Sequence, residues 1–522
     1  MAISAPAEDR EAWGSRVGFI LAAAGSAVGL GNVWRFPYVM GENGGGAFVL
    51  VYLLCVILVG APVFLAELTI GRRTQRNPVG AMQMLRPGRF WPAVGGMGVL
   101  AGFLILSYYS VIAGWTLGYT IEGIFAGAAS PASPAASQAY FDAFTSSSVR
   151  VVGYHALFMI ATILIVARGI KAGIEWASKI MMPAFLTLLT VLIIRGLMMP
   201  GSGAGVAFIL QPDWSKLTPD VIFNAMGQAF FTLSLGMGAM ITYGSYMSRR
   251  DNLVRSSAEV AGMDTMVAVI SGFAIFPALF ALGIEPAQGA GLIFATLPAV
   301  FAEIPGGAIF AFMFFFLMLL AALTSSISLL EVCSCYFIDQ WKWSRVRAAW
   351  TLGGIILLLG VPAALATSAW QNWSIASMLG ATPGEGVLGN IGMLQHNWFQ
   401  LMEAITANYM LPMGGLLIAV FVGYVWSRSE VFGEVKTGYP GFRGAPLWLN
   451  LLRYVCPLVV AQILLVGILG EFQPGYFPAV QTLIDRLVNW FAWIDIVVAA
   501  VVVGFGIFQM LSPSQEPEGG AA

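Results

Sequence analysis

The sequence contains little charge. Only 10% of its 522 residues are Asp, Glu, Lys or Arg, whereas soluble domains contain about 25%. Hydrophobic residues make up 58% of the chain and the mean hydropathy is +0.81, so a soluble form would expose large apolar patches. The formal net charge of −1 gives no basic surface for nucleic acid. The composition therefore indicates a protein of the lipid bilayer with no nucleic-acid partner.

Histidine and cysteine are also scarce, with two and four residues respectively. His155 and His396 form no metal-binding pattern, and we interpret the four cysteines, all in apolar runs, as packing residues. The sequence contains no phosphate-binding glycine loop, so nothing in it supports ATP-driven pumping. It also lacks a nucleophile–base pair and a cofactor motif. We therefore predict that the protein is not an enzyme.

Long apolar runs occupy most of the chain. A membrane-spanning helix needs about 20 apolar residues, and the runs are too long and too uniform for the alternating pattern of a β-barrel. We predict an all-α polytopic membrane protein with about 12 transmembrane helices, near residues 15–40, 45–71, 92–124, 151–168, 176–199, 221–247, 257–283, 305–338, 347–367, 398–426, 447–469 and 482–511.

Basic residues are distributed unevenly between the loops. The loops 127–149, 284–304 and 368–396 contain no Lys or Arg, whereas most of the 25 basic residues lie at or near the other side. The positive-inside rule then places both termini in the cytoplasm, which agrees with an even number of spans. The first 12 residues are polar and the apolar stretch that follows is too long for a cleavable signal. We expect the first span to remain in the membrane.

Two of the predicted spans contain helix-breaking residues near their centres. The first has three glycines between Gly25 and Gly31, and the sixth has the run 234–238 with two more. Each glycine destabilises a helix by up to about 1 kcal/mol relative to alanine. Close helix packing is the alternative explanation for either cluster. As a matched pair, opening two blocks of five spans, they favour an inverted-repeat transporter with unwound backbone at a binding site.

Three segments resemble the neurotransmitter:sodium symporter family. They are residues 13–48 (containing GNVWRFPY), residues 227–236 (GQAFFTLSLG) and residues 321–327 (AALTSSI). The resemblance covers nearly the whole chain and is strongest to the bacterial hydrophobic amino-acid transporter branch. It implies a five-plus-five inverted-repeat, leucine-transporter-like fold that works by alternating access, with helices 1 and 6 unwound at mid-span.

The same resemblance implies the organisation of the chain. We expect a cytoplasmic tail at 1–12, a first inverted repeat of helices 1–5 at 13–199 and a second of helices 6–10 at 220–426. Two further helices at 447–511 and a cytoplasmic tail at 512–522 complete the chain.

The resemblance also implies two Na⁺ sites made of oxygen ligands. The first would use the Ala27 carbonyl, the side chains of Asn32, Thr232 and Asp264, and the carboxylate of the substrate. The second would use the carbonyls of Gly25, Val28 and Ala321 and the hydroxyls of Thr324 and Ser325. Hydroxyls within a membrane helix also commonly bond the carbonyl four residues earlier, which is the alternative role for this last pair.

Asp264 is the most informative side chain of the first site. It lies nine residues beyond Arg255, about 13 Å along a helix, where a carboxylate in the membrane is costly and usually functional. Family members that require chloride typically have Asn here and a serine four residues later, where this chain has Ala268. The other chloride-site positions match as Tyr52, Gln228 and Thr232. We hypothesise that the carboxylate replaces chloride; a protonated structural Asp is the alternative.

Gly29 indicates the class of substrate, because biogenic-amine members of the family have an Asp at the corresponding position. The substrate should therefore supply its own carboxylate, as an α-amino acid does. That group would meet the amides of Leu30 and Gly31 and the Tyr109 hydroxyl. The ammonium would meet carbonyls of Ala27, Phe231 and Thr232 and the Ser234 hydroxyl. The apolar lining expected for the side chain is Ile105, Tyr109, Phe231, Met237, Ser325 and Leu329.

Two ion pairs match the gates of the family. Arg35 and Glu403 would close the external side, and Arg10 and Asp339 the cytoplasmic side; ordinary interfacial salt bridges are the alternative. We also expect Glu67 to bond the unwound backbone of helix 6.

The sequence thus predicts a sodium-coupled, chloride-independent importer of hydrophobic L-amino acids in the inner (plasma) membrane, with two Na⁺ ions. A proton-coupled carrier that uses Asp264, Glu67 or Glu331 and a non-transporting amino-acid-binding membrane protein remain as alternatives.

Overall fold

The computed structural model describes residues 11–126, 134–284, 292–382, 384–472 and 477–511. In these ranges the chain is helical, and β-pairing is limited to the isolated bridges Gly45–Pro212 and Ile391–Phe472. Fourteen segments, some with π-helical turns, form the body of the protein. They are α1 (Arg16–Ala27), α2 (Gly31–Glu42), α3 (Gly46–Thr74), α4 (Phe90–Ala126), α5 (Ser148–Val166), α6 (Ile170–Leu197), α7 (Pro219–Thr232), α8 (Ala239–Gly244), α9 (Leu253–Ala281), α10 (Gly307–Trp341), α11 (Arg345–Ala366), α12 (Trp398–Val425), α13 (Ala445–Gly470) and α14 (Pro478–Leu511).

The helices agree with the predicted spans. In the described part of the chain nine of them, α3–α6 and α9–α13, are individually long and apolar enough to cross a membrane. The pair α1 and α2 adds a tenth span, bent by 51° at its break. The two other predicted spans fall on α7 with α8 and on α14. The structure confirms the all-α polytopic fold.

Short polar side chains mark where several helices begin. Ser15, before α1, accepts a hydrogen bond from the Gly18 amide at 3.0 Å. Asn252, before α9, accepts one from the Arg255 amide at 2.9 Å. The first amides of a helix have no partner within it, and such caps satisfy them. These two capping residues therefore define where α1 and α9, which carry predicted site residues, begin.

The break in the sixth span is a stretch of left-handed backbone. Ser234, Gly236 and Gly238 have φ angles of 53°, 83° and 74°. A side chain at Gly236 would collide with the Leu411 carbonyl, so glycine is required there for both conformation and space.

A buried carboxylate satisfies part of this break. Glu67 is fully buried on α3, and its Oε1 accepts a hydrogen bond from the Gly236 amide at 2.8 Å. Because the bilayer core supplies no water to satisfy free backbone amides, this bond stabilises the unwound segment. The expectation for Glu67 is confirmed.

The packing of the helices brings the two breaks together. The long helices α4 and α10 lie against each other and, with α5, α6 and α11, form a scaffold. α1 packs against α6, α9 and α10, while α8 packs against α3. Because α1 and α8 both also pack against α10, the two breaks lie beside that helix, inside the bundle.

Part of the predicted external loop is helical. Residues Pro134–Ser146, within the loop 127–149 between two spans, form a helix. The Tyr140 hydroxyl donates to Glu122 at 2.5 Å and Ser137 donates to the Ala295 carbonyl. These distant partners, which composition does not reveal, hold the helix on the bundle. Further peripheral helices are Pro78–Leu85, Gly203–Leu210, Leu297–Ala302 and Arg428–Lys436.

Candidate functional site

A cavity of about 50 Å³ lies between the two breaks. Every residue that we expected to contact the substrate lines it: Ala27, Gly29, Leu30, Gly31, Ile105, Tyr109, Phe231, Thr232, Ser234, Met237, Ser325 and Leu329. These residues come from the first break and the helix ends beside it, from α4, from the end of α7 and the second break that follows it, and from α10. The fold therefore assembles in one place a set of residues that spans some 300 positions of the sequence.

The sequence analysis missed three further lining residues, Ser26, Ser328 and Leu411. Ser26 lies within the glycine-rich break, and Ser328 lies three residues after Ser325, hence on the same helix face. Both could have been found from spacing. Leu411 on α12 gives no local signal, because only the packing of that helix brings it to the cavity.

The first break forms one polar end of the cavity. The Leu30 amide points to the Tyr109 hydroxyl at 3.5 Å, and the Gly29 amide donates to Asn32 Oδ1 at 3.0 Å. A Cβ at Gly29 would lie 2.5 Å from Ser325 Oγ and 3.3 Å from the Tyr109 hydroxyl. The position therefore has no room for a carboxylate side chain, and the polar groups here are amides and hydroxyls.

Two hydroxyl groups lie within hydrogen-bond distance of carbonyls of the same break. Ser234 Oγ donates to the Ser26 carbonyl at 3.2 Å, and Ser325 Oγ lies 3.3 Å from the carbonyls of Gly25 and Ser26. The oxygen-rich side of the cavity thus contains both carbonyl dipoles and hydroxyls. Such groups suit a cation or an ammonium.

A buried carboxylate lies immediately behind the cavity. Asp264 is fully buried on α9; its Oδ1 accepts from Asn32 Nδ2 at 2.7 Å and its Oδ2 from the Thr232 hydroxyl at 3.2 Å. Among the described residues no Lys or Arg forms an ion pair with Asp264. A buried charge needs compensation, and a bound cation could supply it.

The residues of the second predicted ion site also come together. Ser325 Oγ lies 3.5 Å from the Val28 carbonyl, and the Thr324 hydroxyl bonds the Ala321 carbonyl at 2.9 Å. Thr324 Oγ1 also lies 3.1 Å from the Leu320 carbonyl, so the back-bonding expected of a membrane threonine is present too. Because a hydroxyl keeps lone pairs when it donates its proton, both bonds are compatible with cation binding.

At one end of the substrate cavity Arg35 contacts α7. Its guanidinium donates to Gln228 Oε1 at 3.2 Å and lies 4.7 Å from the centre of the Phe231 ring. Within the described part of the chain no ion pair joins it to Glu403, although both residues line one cavity of about 60 Å³. The pairing of these two residues as an external gate stays a prediction.

At the other end of the bundle, the segment before α1 is fixed by hydrogen bonds to α8 and to the turn that follows it. Trp13 Nε1 donates to the Tyr243 carbonyl at 3.1 Å and the Trp13 amide to the Tyr246 carbonyl at 3.3 Å. The Tyr246 hydroxyl donates to Glu331 at 2.6 Å, which also pairs with Arg345 at 2.6 Å. Glu331 is therefore a partner in an ion pair, which gives it a structural role.

The predicted cytoplasmic gate is only partly visible. Arg10 lies outside the described residues. Asp339 accepts hydrogen bonds from the backbone amide and the side-chain amide of Asn77, at 2.8 and 3.0 Å.

The sequence that forms the two broken helices and the cavity between them matches a known family. The sequence model described as the Sodium:neurotransmitter symporter family matches residues 10–129 and 145–371. The chain belongs to this family.

Relatives extend over most of its length. A Bacillus subtilis protein described as the uncharacterized sodium-dependent transporter YhdH is 39% identical over 461 residues, covering 88% of this chain and 98% of the relative. An uncharacterized sodium-dependent transporter of Haemophilus influenzae is 35% identical over 467 residues, covering 87% and 98% respectively. The crystal structure of MhsT in complex with L-phenylalanine is 46% identical, with a TM-score of 0.78, and covers 88% of this chain and 100% of that one.

Membership of this family establishes the general activity of the protein. The protein is a sodium-coupled, multi-pass membrane transporter and not an enzyme. The residues expected to contact the substrate line one cavity, and Asp264 accepts a hydrogen bond from Thr232 beside it.

Proposed function

We propose that this symporter imports hydrophobic L-amino acids together with Na⁺ by alternating access. The observation that carries the proposal is the complete lining of the cavity by the expected residues. Similarity to MhsT, whose structure contains L-phenylalanine, over the full length of that protein supports the substrate class. The apolar side chains of Ile105, Leu329 and Met237 favour a hydrophobic substrate side chain.

The α-amino and α-carboxyl groups would bind at the first break. The lack of space at Gly29 supports a substrate that supplies its own carboxylate. That group would bind the Leu30 and Gly31 amides and the Tyr109 hydroxyl, since amides at a helix start attract anions. The ammonium would bind the carbonyl side of the cavity, near Ser234.

Two Na⁺ ions would bind beside the substrate. One would share the substrate carboxylate with Asn32, Thr232, Asp264 and the Ala27 carbonyl. The other would bind between α1 and α10, at Thr324 and Ser325. A shared ligand couples the first ion to the substrate directly, so that each increases the affinity of the other.

Transport would not require chloride. The Asp264 carboxylate, fully buried and without a basic partner among the described residues, would supply the negative charge beside the first Na⁺. Ala268, also buried, has no hydroxyl with which to bind an anion.

The charges of the loops support a proposal for the orientation of the protein in the membrane. We propose that the protein lies in the inner (plasma) membrane with both termini in the cytoplasm, since the basic loops favour that side. The two repeats would occupy 13–199 and 220–426, followed by two helices at 447–511.

The test is uptake of labelled L-phenylalanine and L-leucine into proteoliposomes without chloride, with Na⁺ or K⁺ outside. We expect accumulation only with Na⁺. The double variant Thr324→Ala/Ser325→Ala should lower the apparent affinity for Na⁺ by at least about tenfold. Thr187→Ala is the matched control, because Thr187 also bonds a carbonyl four residues earlier, at 2.8 Å, but is exposed on α6.

Other outcomes would select the alternatives. Accumulation driven by a proton gradient without Na⁺ would replace sodium coupling by proton coupling. Substrate binding in a scintillation proximity assay without accumulation under any gradient would indicate a binding protein. Uptake that requires chloride would contradict the role given to Asp264.

A further inference from the structure

A further and larger cavity lies on the outside of the scaffold. It has a volume of about 760 Å³ and runs between α4, α10 and α11, and the turn before α4 closes one end. It has no lining residue in common with the substrate cavity among the described residues. None of the ion or substrate residues discussed above borders it, so the transport function does not account for it.

The walls of this groove are apolar and open towards the bilayer. Leu100 of α4 and Ile355 of α11 line it and remain 50% and 48% exposed. Phe103 and Val99 form part of its floor. Exposed apolar residues on a membrane-spanning helix face lipid, so lipid chains have direct lateral access to the groove.

The length of the groove corresponds to one leaflet. Its lining extends along α4 from Arg89, just before the helix, to Phe103. At 1.5 Å per residue this is about 20 Å, compared with about 15 Å for half of the hydrocarbon core. An extended acyl chain therefore fits along it.

The polar end of the groove is positively charged. The Arg89 side chain is exposed and makes no hydrogen bond or ion pair with any described residue. Arg86 is exposed three residues earlier, and Arg347 lies 4.5 Å from the Trp343 ring. Asp339, the nearby acid of α10, accepts hydrogen bonds from Asn77. This end of the groove therefore presents positively charged arginine side chains to an anionic group.

Aromatic residues cluster beside the positively charged end of the groove. Tyr336 and Phe337 line the groove, and Phe337 packs against Trp341 and Trp343 with ring centres 4.9 and 5.0 Å apart. Aromatic side chains concentrate at the lipid headgroup level. Arg89 is therefore placed where a phosphate of the leaflet would be found.

We propose that this groove binds an anionic phospholipid of the surrounding bilayer, with one acyl chain along α4 and the phosphate on Arg89. Arginine matches phosphate with two parallel hydrogen bonds. A negative headgroup also suits the basic end of the bundle. The lipid would contact the scaffold helices α4, α10 and α11 and leave the broken helices uncovered.

Two variants separate the headgroup from the chain. Arg89→Ala removes the phosphate ligand from an exposed position. Gly96→Leu fills the groove, because a Cβ there would meet only Val79, at 4.0 Å, among the described residues. The control Gly153→Leu adds the same side chain on α5, from which no described residue lines the groove and where a Cβ meets no described atom within 4 Å. The control for Arg89 is Arg443→Ala, another exposed arginine.

The experiment is native mass spectrometry of the delipidated full-length protein, titrated with phosphatidylglycerol or phosphatidylcholine. We expect the unmodified protein to bind one phosphatidylglycerol at least about tenfold more tightly than phosphatidylcholine. Arg89→Ala should abolish that preference and Gly96→Leu should weaken binding of both lipids. The controls should behave like the unmodified protein. Equal binding of the two lipids, or no difference between variants and controls, would overturn the proposal.

A crosslinking experiment locates the lipid independently of any variant. Phosphatidylglycerol with a diazirine at the end of one acyl chain should label peptides that contain residues 96–103 or 352–355. Labels confined to other helices would overturn the proposal. If Gly96→Leu fails to give a monodisperse protein by gel filtration, Arg89→Ala and the crosslinks decide the question.

Discussion

The side-chain amide of Asn32 donates to the Asp264 carboxylate over 2.7 Å and joins the first break to α9. Both residues are fully buried. The carbonyl of the same Asn32 side chain accepts from the Gly29 amide at 3.0 Å. One side chain therefore connects the backbone beside the substrate cavity to the buried carboxylate. The charge at position 264 should consequently affect both ion and substrate binding.

Asp264→Asn removes this charge while keeping the size of the side chain. We expect the initial rate of Na⁺-driven uptake in chloride-free proteoliposomes to fall by at least about tenfold, or ~1.4 kcal/mol. The reason is that a neutral amide leaves the Na⁺ at the first site without a compensating charge. The measurement is uptake of labelled L-phenylalanine with and without chloride.

The double variant Asp264→Asn/Ala268→Ser extends this test. It restores the serine of chloride-requiring relatives, and uptake should recover when chloride is added. Asp213→Asn is the control, since that carboxylate is exposed and, among the described residues, its hydrogen bonds are to its neighbour Ser215. Unchanged chloride-free uptake by Asp264→Asn would contradict the role of the carboxylate.

Gly29→Ala should weaken substrate binding. The added Cβ would lie 2.5 Å from Ser325 Oγ and 3.3 Å from the Tyr109 hydroxyl, so both side chains must move away from the positions expected to hold substrate and ion. We predict a rise of at least about tenfold in the Kd for L-leucine, measured by scintillation proximity. Gly262→Ala on α9 is the control, because a Cβ there meets no described atom within 4 Å. Equal affinities for both variants would refute the prediction.

The sequence predicts the breaks well because their causes are local. Glycines at 236 and 238 are needed for left-handed backbone, and the structure has positive φ at both. The hydroxyls of Thr324 and Ser325 stand out in an apolar helix. Polar or helix-breaking residues in the membrane are costly, so each signals a specific role without knowledge of the fold.

Features that depend on packing between distant helices were not predictable. Leu411 reaches the cavity only because α12 lies beside the second break, where its carbonyl also excludes a side chain at Gly236. The contacts of Arg35 with Gln228 and Phe231 depend on the position of α7. No spacing rule relates residues so far apart in the chain.

Glu67 should contribute to stability through its bond to the second break. Glu67→Ala leaves the Gly236 amide without its 2.8 Å partner, and an unsatisfied buried amide costs about 1–3 kcal/mol. We expect a lower midpoint of thermal unfolding in detergent. Glu67→Gln keeps an acceptor oxygen at the same place and should restore most of the loss. If the glutamine variant is as unstable as the alanine variant, the charge and not the acceptor is what matters.

Met237 should set the upper size of the substrate side chain. It lines the cavity and is only 5% exposed, and its unbranched thioether can adapt to side chains of different shape. Met237→Phe replaces it with a rigid ring, which should favour L-leucine over L-phenylalanine by about tenfold relative to the unmodified protein. The measurement is competition of each amino acid against labelled L-leucine. Met237→Leu conserves volume and is the control; a ratio of inhibition constants that stays the same in Met237→Phe would show that this side chain does not limit the pocket.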